Sequence, residues 1–434
     1  MGNISYFCIV KRFKRFSGLL TLAFSLLLTH LPATGQDTSG NTHEGIVSCQ
    51  YADAQGNVTR AQEKPDTANN IEISLLTCGP RDNVYSLYGH TAIRYRDKLN
   101  NYDIVINYGM FSFDKPYFVP RFVLGLTDYE MGIESFNGFI SQYGPSGCGV
   151  RQQVLNLTAE EKSKIAVALE KNYRKENRTY RYNYFYRNCT TEARDIILNN
   201  ISGTVSYNNV CDSSVSFRQI MHDCTEDHRW ARFGNDLLLG FKADAHTTRD
   251  MQQFLPANLM NDFSRASIRD DKGTRRLVKE ESWLLTPAKK QKDNGSPLTP
   301  MTLLTALAAI VIAATVAETK GMRNFWVLDL VMHLMCGACG LVLCIMIFSK
   351  HPTVNVNLQI LMLNPLLIVF AWHTIRHLRR GMADKWLMAW TAMICIMIIG
   401  SFWQTYAEGM LVLALSLLFR NTVKIYLSRK RKMP

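Results

Sequence analysis

Tyr186-Arg-Asn-Cys-Thr-Thr-Glu-Ala-Arg-Asp-Ile-Ile197 is the stretch that decides the architecture of this chain. Asn188 is a strong helix N-cap, which places Cys189 in the first turn of a helix. Free backbone N–H groups and the helix dipole at that position stabilise a thiolate. Ala193, Ile196 and Ile197 follow at i+4, i+7 and i+8, so the cysteine shares the face on which the helix packs. A thiolate held between a helix start and a sheet has N–H groups at hand for an oxyanion. The competing reading is a structural or disulfide-bonded cysteine.

Upstream of this helix the chain reads as strands. Ile71 to Leu76 is a β-rich run, and His90 to Tyr95 (HTAIRY) and Asp103 to Tyr108 (DIVINY) alternate, with Gly and Asn clusters between them. Thr158-Ala-Glu-Glu161 is a capping box opening a helix to about Asn172, with Ile165, Ala168, Leu169 and Tyr173 on one face. Helical patterns recur through about 215–240. The base to partner Cys189 is His90, which opens a strand directly after Gly89. His43, His222, His228 and His246 lie in the leader or in polar helical stretches. A third group must orient the imidazole. Asn107 on the neighbouring strand is the choice and Tyr108 and Tyr102 are rivals, because strand register decides which of them faces His90. Asn188 and Tyr88 are candidate donors to substrate.

The chain has 434 residues and a net charge of +13. That excess is placed to set membrane topology. Lys11, Arg12, Lys14 and Arg15 precede an apolar run from Leu19 to Leu31, followed by Ala33-Thr34-Gly35, the form of a cleavable signal peptide over residues 1–35. Twelve more basic residues lie between or after the C-terminal apolar segments, and the rest of the chain is nearly neutral. A nucleic-acid partner is therefore not expected. Of eleven cysteines, Cys8 leaves with the signal and Cys336, Cys339, Cys344 and Cys395 lie in apolar segments. Cys49, Cys78, Cys148, Cys189, Cys211 and Cys224 remain for an oxidising compartment, where Cys211/Cys224 and Cys78/Cys148 are disulfide candidates and Cys189 is expected free.

Residues 36–70 read as a flexible leader, 71–267 as the extracytoplasmic catalytic domain and 268–300 as a charged linker. Residues 301–420 form a bundle of about five transmembrane helices, at about 301–317, 325–348, 356–373, 386–403 and 406–420, the last being the weakest; 421–434 is a basic tail. With residues 36–300 outside, the segments 318–324, 374–385 and the tail fall inside and hold all twelve basic residues, while the outside turns hold only Lys350. The C-terminus is then cytoplasmic. His351, in the outside turn before the third span, is a candidate headgroup contact or a solvated turn residue. Asp329 inside the second span needs a partner.

A strand histidine, a polar group on the next strand, then Asn-Cys opening a helix resembles the order of the circularly permuted papain-like hydrolases. A longer set narrows the resemblance: Leu76-Thr-Cys-Gly-Pro80, Tyr85-Ser-Leu-Tyr-Gly-His-Thr-Ala-Ile-Arg94, Asn107-Tyr-Gly, Leu155-Asn-Leu-Thr158, Tyr186-Arg-Asn-Cys189, Phe233-Gly-Asn-Asp-Leu-Leu-Leu-Gly240, Phe254-Leu-Pro256, His351-Pro-Thr-Val-Asn-Val-Asn-Leu358 and Asn364-Pro365. Over about residues 70–420 the chain resembles the Bacteroidetes lipoprotein N-acyltransferase family. That resemblance implies an α+β, permuted papain-like cysteine domain on a membrane bundle in the bacterial inner membrane. It implies transfer of an acyl chain from a phospholipid to the N-terminal amine of a diacylglyceryl-cysteine lipoprotein. Cys189 would be the nucleophile and His90 the base, with no metal and no cofactor. The alternatives are a papain-like cell-wall peptidase or amidase, and a non-catalytic membrane assembly module.

Overall fold

A computed structural model describes residues 70–81, 83–112, 116–288 and 298–430. The signal peptide, nearly all of the leader and the last four residues lie outside the described residues. Ten strands lie in chain order: β1 (Ile71–Cys78), β2 (His90–Asp97), β3 (Tyr102–Met110), β4 (Asp128–Ser135), β5 (Val150–Leu155), β6 (Thr179–Arg181), β7 (Thr204–Tyr207), β8 (Ala266–Asp270), β9 (Gly273–Arg276) and β10 (Val278–Leu285). Seven of them form one antiparallel sheet in the order β10-β5-β1-β2-β3-β4-β6, and β7-β8-β9 form a small second sheet.

Period-2 alternation sends Ile73, Leu75, Ile93 and Ile106 to one face of the large sheet. Three helices cover that face: Ala159–Tyr173 with Ile165 and Leu169, Cys189–Leu198 with Ala193 and Ile197, and Pro256–Arg265 with Leu259 and Phe263. The other face carries Leu76, Ala92, Val105 and Val150 under the helix Phe136–Tyr143. The capping box at Thr158 and Glu161 is present in both directions.

Residues 268–285 differ from the expected linker: they belong to strands β8 to β10, and β10 completes the large sheet by pairing with β5. The strand Val-Lys-Glu-Glu-Ser-Trp-Leu-Leu is polar because it is an edge strand with much of its surface in solvent.

Five helices follow: Pro300–Thr319, Trp326–Ile347, Leu366–Arg379, Lys385–Gly400 and Met410–Lys430. Four stretches are long and apolar enough to cross a membrane, the third of them counted from Leu358 with its short leading turn, whereas Lys385–Gly400 is shorter. The short helix is therefore the fourth and not the last, which runs 21 residues and absorbs most of the expected tail. Arg420 and Lys424 make that continuation possible inside the bundle. Arg420 binds Asp329 at 2.6 Å and Glu318 at 3.1 Å, and Lys424 binds Glu318 at 2.8 Å and Asp329 at 3.3 Å. Two basic residues expected to act as free topogenic charges are thus buried and paired, and Asp329 has its counter-ions.

The outside turn between the second and third membrane helices is neither solvated nor free. His351 is buried, and Thr353, Asn357 and Gln359 are buried with it. Tyr184 hydrogen-bonds Thr353 at 2.9 Å, and Gln359 donates to the Asp236 carbonyl at 2.9 Å. On the helix Arg229–Leu238, Phe233, Leu237 and Leu238 pack against the membrane core. The soluble domain is seated on the bundle through this turn.

Candidate active site

Asn188 holds the start of the Cys189 helix in place. Its Oδ1 accepts from the Thr190 and Thr191 N–H groups at 2.9 and 3.0 Å, and its Nδ2 donates to the carbonyls of Tyr184 and Phe254. Thr191 completes a capping box by accepting from the Asn188 N–H. The asparagine amide is fully committed, so Asn188 positions the nucleophile and has no group left for a substrate. Across the helix, the Thr190 hydroxyl meets that of Thr91 on β2 at 3.1 Å, which locks the helix start against the strand that His90 opens.

His90 lies at the first residue of β2 after Gly89, whose φ of +78° turns the chain there. Its Nε2 is 2.9 Å from Asn107 Oδ1. Ala92 stands opposite Asn107 in the β2–β3 ladder, so the two share a face and Asn107 reaches His90 diagonally. Tyr108 points to the other face, where its hydroxyl accepts from Asn172 at 3.1 Å, and Tyr102 is at the far end of the strand. Register thus favours Asn107 over both tyrosines.

The residue that fixes Asn107 is Glu134 on β4, whose Oε1 accepts from Asn107 Nδ2 at 2.7 Å while its Oε2 accepts from Gln142 Nε2 at 2.6 Å. Burial pushes the Glu134 carboxyl up, and those two hydrogen bonds offset only part of the rise. A carboxylate only accepts, so Asn107 must turn its NH₂ to Glu134 and its oxygen to His90. The imidazole Nε2 then carries the proton, and Nδ1 is the nitrogen left for the thiol. Sequence reasoning missed Glu134, and its strand, Asp-Tyr-Glu-Met-Gly-Ile-Glu-Ser, carried the missed signal of strict alternation.

Burial pushes the Cys189 thiol up. The charge and hydrogen bond of His90, the Thr91 N–H and the Thr190 hydroxyl outweigh that effect and bring it down to about 7. Burial pushes His90 the other way, down, and the Cys189 charge with hydrogen bonds to Cys189 and Asn107 outweigh it, leaving the imidazole above its ordinary value. Both directions favour a thiolate–imidazolium pair near neutral pH. All nine described cysteines are free, Cys189 among them, and neither Cys78/Cys148 nor Cys211/Cys224 is joined.

β3 is irregular after Asn107, where Gly109 has a φ of +85°. A Cβ on Gly109 would stand 3.5 Å from the Cys189 Cβ and 3.8 Å from the Tyr180 hydroxyl. Tyr180 is buried and its hydroxyl has no hydrogen-bond partner among the described residues. Burial raises it well above the ordinary phenol value, and the Cys189 charge adds to that. It therefore remains a neutral donor beside the nucleophile. Nothing in Thr-Tyr-Arg, a three-residue strand, marks it in the sequence.

The side chains of Tyr88 and His351, expected at the substrate, are engaged in contacts within the protein. The Tyr88 hydroxyl accepts from Asn235 at 2.7 Å, and its ring packs with Phe185 and Phe254. His351 donates from Nε2 to the Phe122 carbonyl at 3.1 Å, within the seam between domain and bundle. Burial pushes its imidazole below the ordinary value. A group with metal-ligand spacing, His373, His377 and Asp384, lies in the membrane helices. Asp384 there caps its own helix through Leu387 and accepts from Thr374, and Arg376, Arg379, Arg380 and Lys385 surround it in sequence.

Two family models match this arrangement of domain and bundle: the Lnb N-terminal periplasmic domain over residues 60–222 and the Lnb transmembrane domain over residues 290–432. The chain belongs to the Lnb lipoprotein N-acyltransferase family. Membership makes it a membrane-associated lipoprotein-processing protein with a periplasmic domain. Cys189, His90, Asn107 and Glu134 all fall within the stretch matched as the Lnb periplasmic domain. No curated protein and no solved structure matches the chain.

Proposed function

We propose that this protein is a cysteine-dependent lipoprotein N-acyltransferase. The observation that carries the reading is the Cys189 thiol at a helix N-terminus, served by a His90 that Asn107 holds at 2.9 Å, in a domain seated on apolar helices. The Cys189 thiolate attacks the ester carbonyl of a phospholipid. A tetrahedral oxyanion forms and is held by the Cys189 N–H and the Tyr180 hydroxyl. The ester C–O bond breaks, His90 gives its Nδ1 proton to the departing lysophospholipid alcohol, and an acyl thioester remains on Cys189. The N-terminal amine of a diacylglyceryl-cysteine lipoprotein then attacks the thioester carbonyl. His90 takes the amine proton, the C–S bond breaks, and an amide and the thiolate result. Both substrates are lipids of one bilayer, which suits a catalytic domain held at the periplasmic face of the inner membrane. The chemistry runs on protein groups alone.

Cys189→Ser tests this directly. A serine hydroxyl has far too high a pKa to form an alkoxide beside a histidine, so N-acylation should be abolished at normal abundance in membranes. Cys211→Ser at equal abundance should leave it intact. Intact-mass measurement of the wild-type protein should find a fatty acyl adduct. A Cys189→Ser protein with full lipoprotein N-acylation would overturn the thioester mechanism, and a peptidyl adduct in its place would favour a cell-wall peptidase.

A further inference from the structure

The chain leaves the second membrane helix at Ile347 and runs straight into contact with a short apolar helix of the soluble domain, Phe118–Val123. Ser349 Oγ donates to the Val123 carbonyl at 2.7 Å, the Lys350 N–H to the Leu124 carbonyl at 2.9 Å, and His351 to that of Phe122. Gly125 follows with a φ of +67°, and a Cβ there would stand 3.1 Å from the His351 nitrogen. This close approach pins residues 118–125 at the level where a membrane helix ends. No residue of the short helix is buried, and Tyr117 and Val119 are 81 % and 48 % exposed. Exposed aromatic and branched side chains at the end of a span belong in the bilayer interface. The one cation of the helix, Arg121, is turned to the Leu126 carbonyl and to Asp128.

From this helix a continuous set of rings leads inward. Phe118 stacks on Phe111 at 5.4 Å, Phe111 on Tyr129 at 4.9 Å and Tyr129 on Tyr182 at 4.0 Å, while Phe122 joins Tyr182 at 6.5 Å. Phe111 lies two residues past Gly109, the glycine beside Cys189. None of these side chains carries a formal charge at neutral pH. A cell-wall peptide would need polar partners along such a wall, whereas an alkyl chain needs only apolar surface.

We propose that the rings of Phe111, Phe118, Phe122, Tyr129 and Tyr182 bind the acyl chain of a bilayer phospholipid and lead its ester from the membrane surface at Tyr117 and Val119 to Cys189. The proposal rests on the acyl-transfer reading of Cys189 and assigns the donor's route to it. The donor enters laterally from the bilayer, beside the turn 349–351, and never crosses water.

The test uses the full-length protein in bilayers containing a phospholipid with a photoactivatable diazirine in its acyl chain. Illumination should place covalent label within residues 111–129. Val119→Asp, at an exposed position, should lower acyl-enzyme formation from bilayer phospholipid by about tenfold or more, and iodoacetamide should still alkylate Cys189 at the wild-type rate. Val167→Asp, at an exposed position on the helix Ala159–Tyr173 and away from the rings, should leave acyl-enzyme formation unchanged. Label confined to other segments would overturn the proposal, as would unchanged acyl-enzyme formation in Val119→Asp. Label from a diazirine on the lipoprotein's own chains, and none from the phospholipid, would assign the wall to the acceptor and also overturn it. Failure of wild-type protein to form any acyl-enzyme would instead remove the acyltransferase reading itself.

Discussion

The chemistry depends on a thiol and an imidazole whose protonation is set by their neighbours. Glu134 orients the Asn107 amide, Asn107 fixes the proton on His90 Nε2, and Nδ1 is left for Cys189. The thiolate is the reactive form, so alkylation of Cys189 by iodoacetamide should rise with pH through a midpoint near 7 and then level off. In His90→Ala the burial that raises the thiol persists and the charge that lowers it is gone. The midpoint should move above that of an ordinary cysteine, and alkylation at pH 7 should fall. Turnover should drop by roughly 10²–10⁴-fold, and Asn107→Ala should cost less because it only orients the ring. A midpoint unchanged by His90→Ala would show that the two groups do not interact. Tyr180 gives a second expectation. Tyr180→Phe keeps the ring and removes a hydroxyl near Gly109 that has no partner among the described residues. If that hydroxyl holds the oxyanion, acyl-enzyme formation should slow by about 10²–10³-fold, with the alkylation profile unmoved, since alkylation forms no oxyanion. Cys189 and His90 were legible because each belongs to a short local pattern, whereas Asn107 was one of three candidates until the β2–β3 register separated it from Tyr108 and Tyr102. Glu134 and Tyr180 were not, because only strand order brings β4 and β6 to the site.

At the scale of elements, amphipathic periodicity found what was strongly periodic. The capped helix from Ala159 and the strands β1 to β3 emerged from local pattern alone. β10 escaped because its partner β5 lies over a hundred residues upstream, and its run of a lysine and two glutamates resembles a linker. The last membrane helix was underestimated for a related reason. Arg420 and Lys424 end an apolar run in the sequence, yet in the bundle each faces Glu318 and Asp329. Two acids and two bases form a balanced, buried group that also takes in Thr315 and Asn324. Removing one member leaves carboxylate charge unpaired in a low-dielectric setting. Arg420→Met should therefore destabilise the bundle by about 3–5 kcal/mol, read as a lower unfolding midpoint in detergent. The double variant Arg420→Met with Asp329→Leu should recover part of that loss, because it restores the charge balance. Equal instability of the single and double variants would show that the charges contribute little.

Across the whole molecule, contacts at the two ends of the bundle decide how many times the chain crosses. One end is marked by the soluble domain. There Gln404, in the turn after the fourth helix, hydrogen-bonds Asn357 at 2.8 Å, and Asn357 in turn donates to the Leu237 carbonyl. The other end is marked by the turn joining the first two helices, where Glu318 meets Lys424. The turn before the fourth helix lies at this second end, since Ala383 donates to Ser428 at 2.8 Å. The fourth helix, Lys385–Gly400, therefore joins the two ends despite a length of about 24 Å, short of the roughly 30 Å of a bilayer core. The turn Ser401–Gln404 extends it toward the soluble domain. We propose five traverses, an odd number that would put the C-terminus opposite the soluble domain. Lys320, Arg323, Arg376, Arg379, Arg380, Lys385, Arg429 and Lys430 gather at that same end, as the positive-inside rule requires of a cytoplasmic face. A reporter active only in the cytoplasm, fused after Pro434, should be active, and one active only in the periplasm should be silent. Activity of the periplasmic reporter would mean that one helix fails to cross. The 16-residue fourth helix would then be the one lying within a single leaflet.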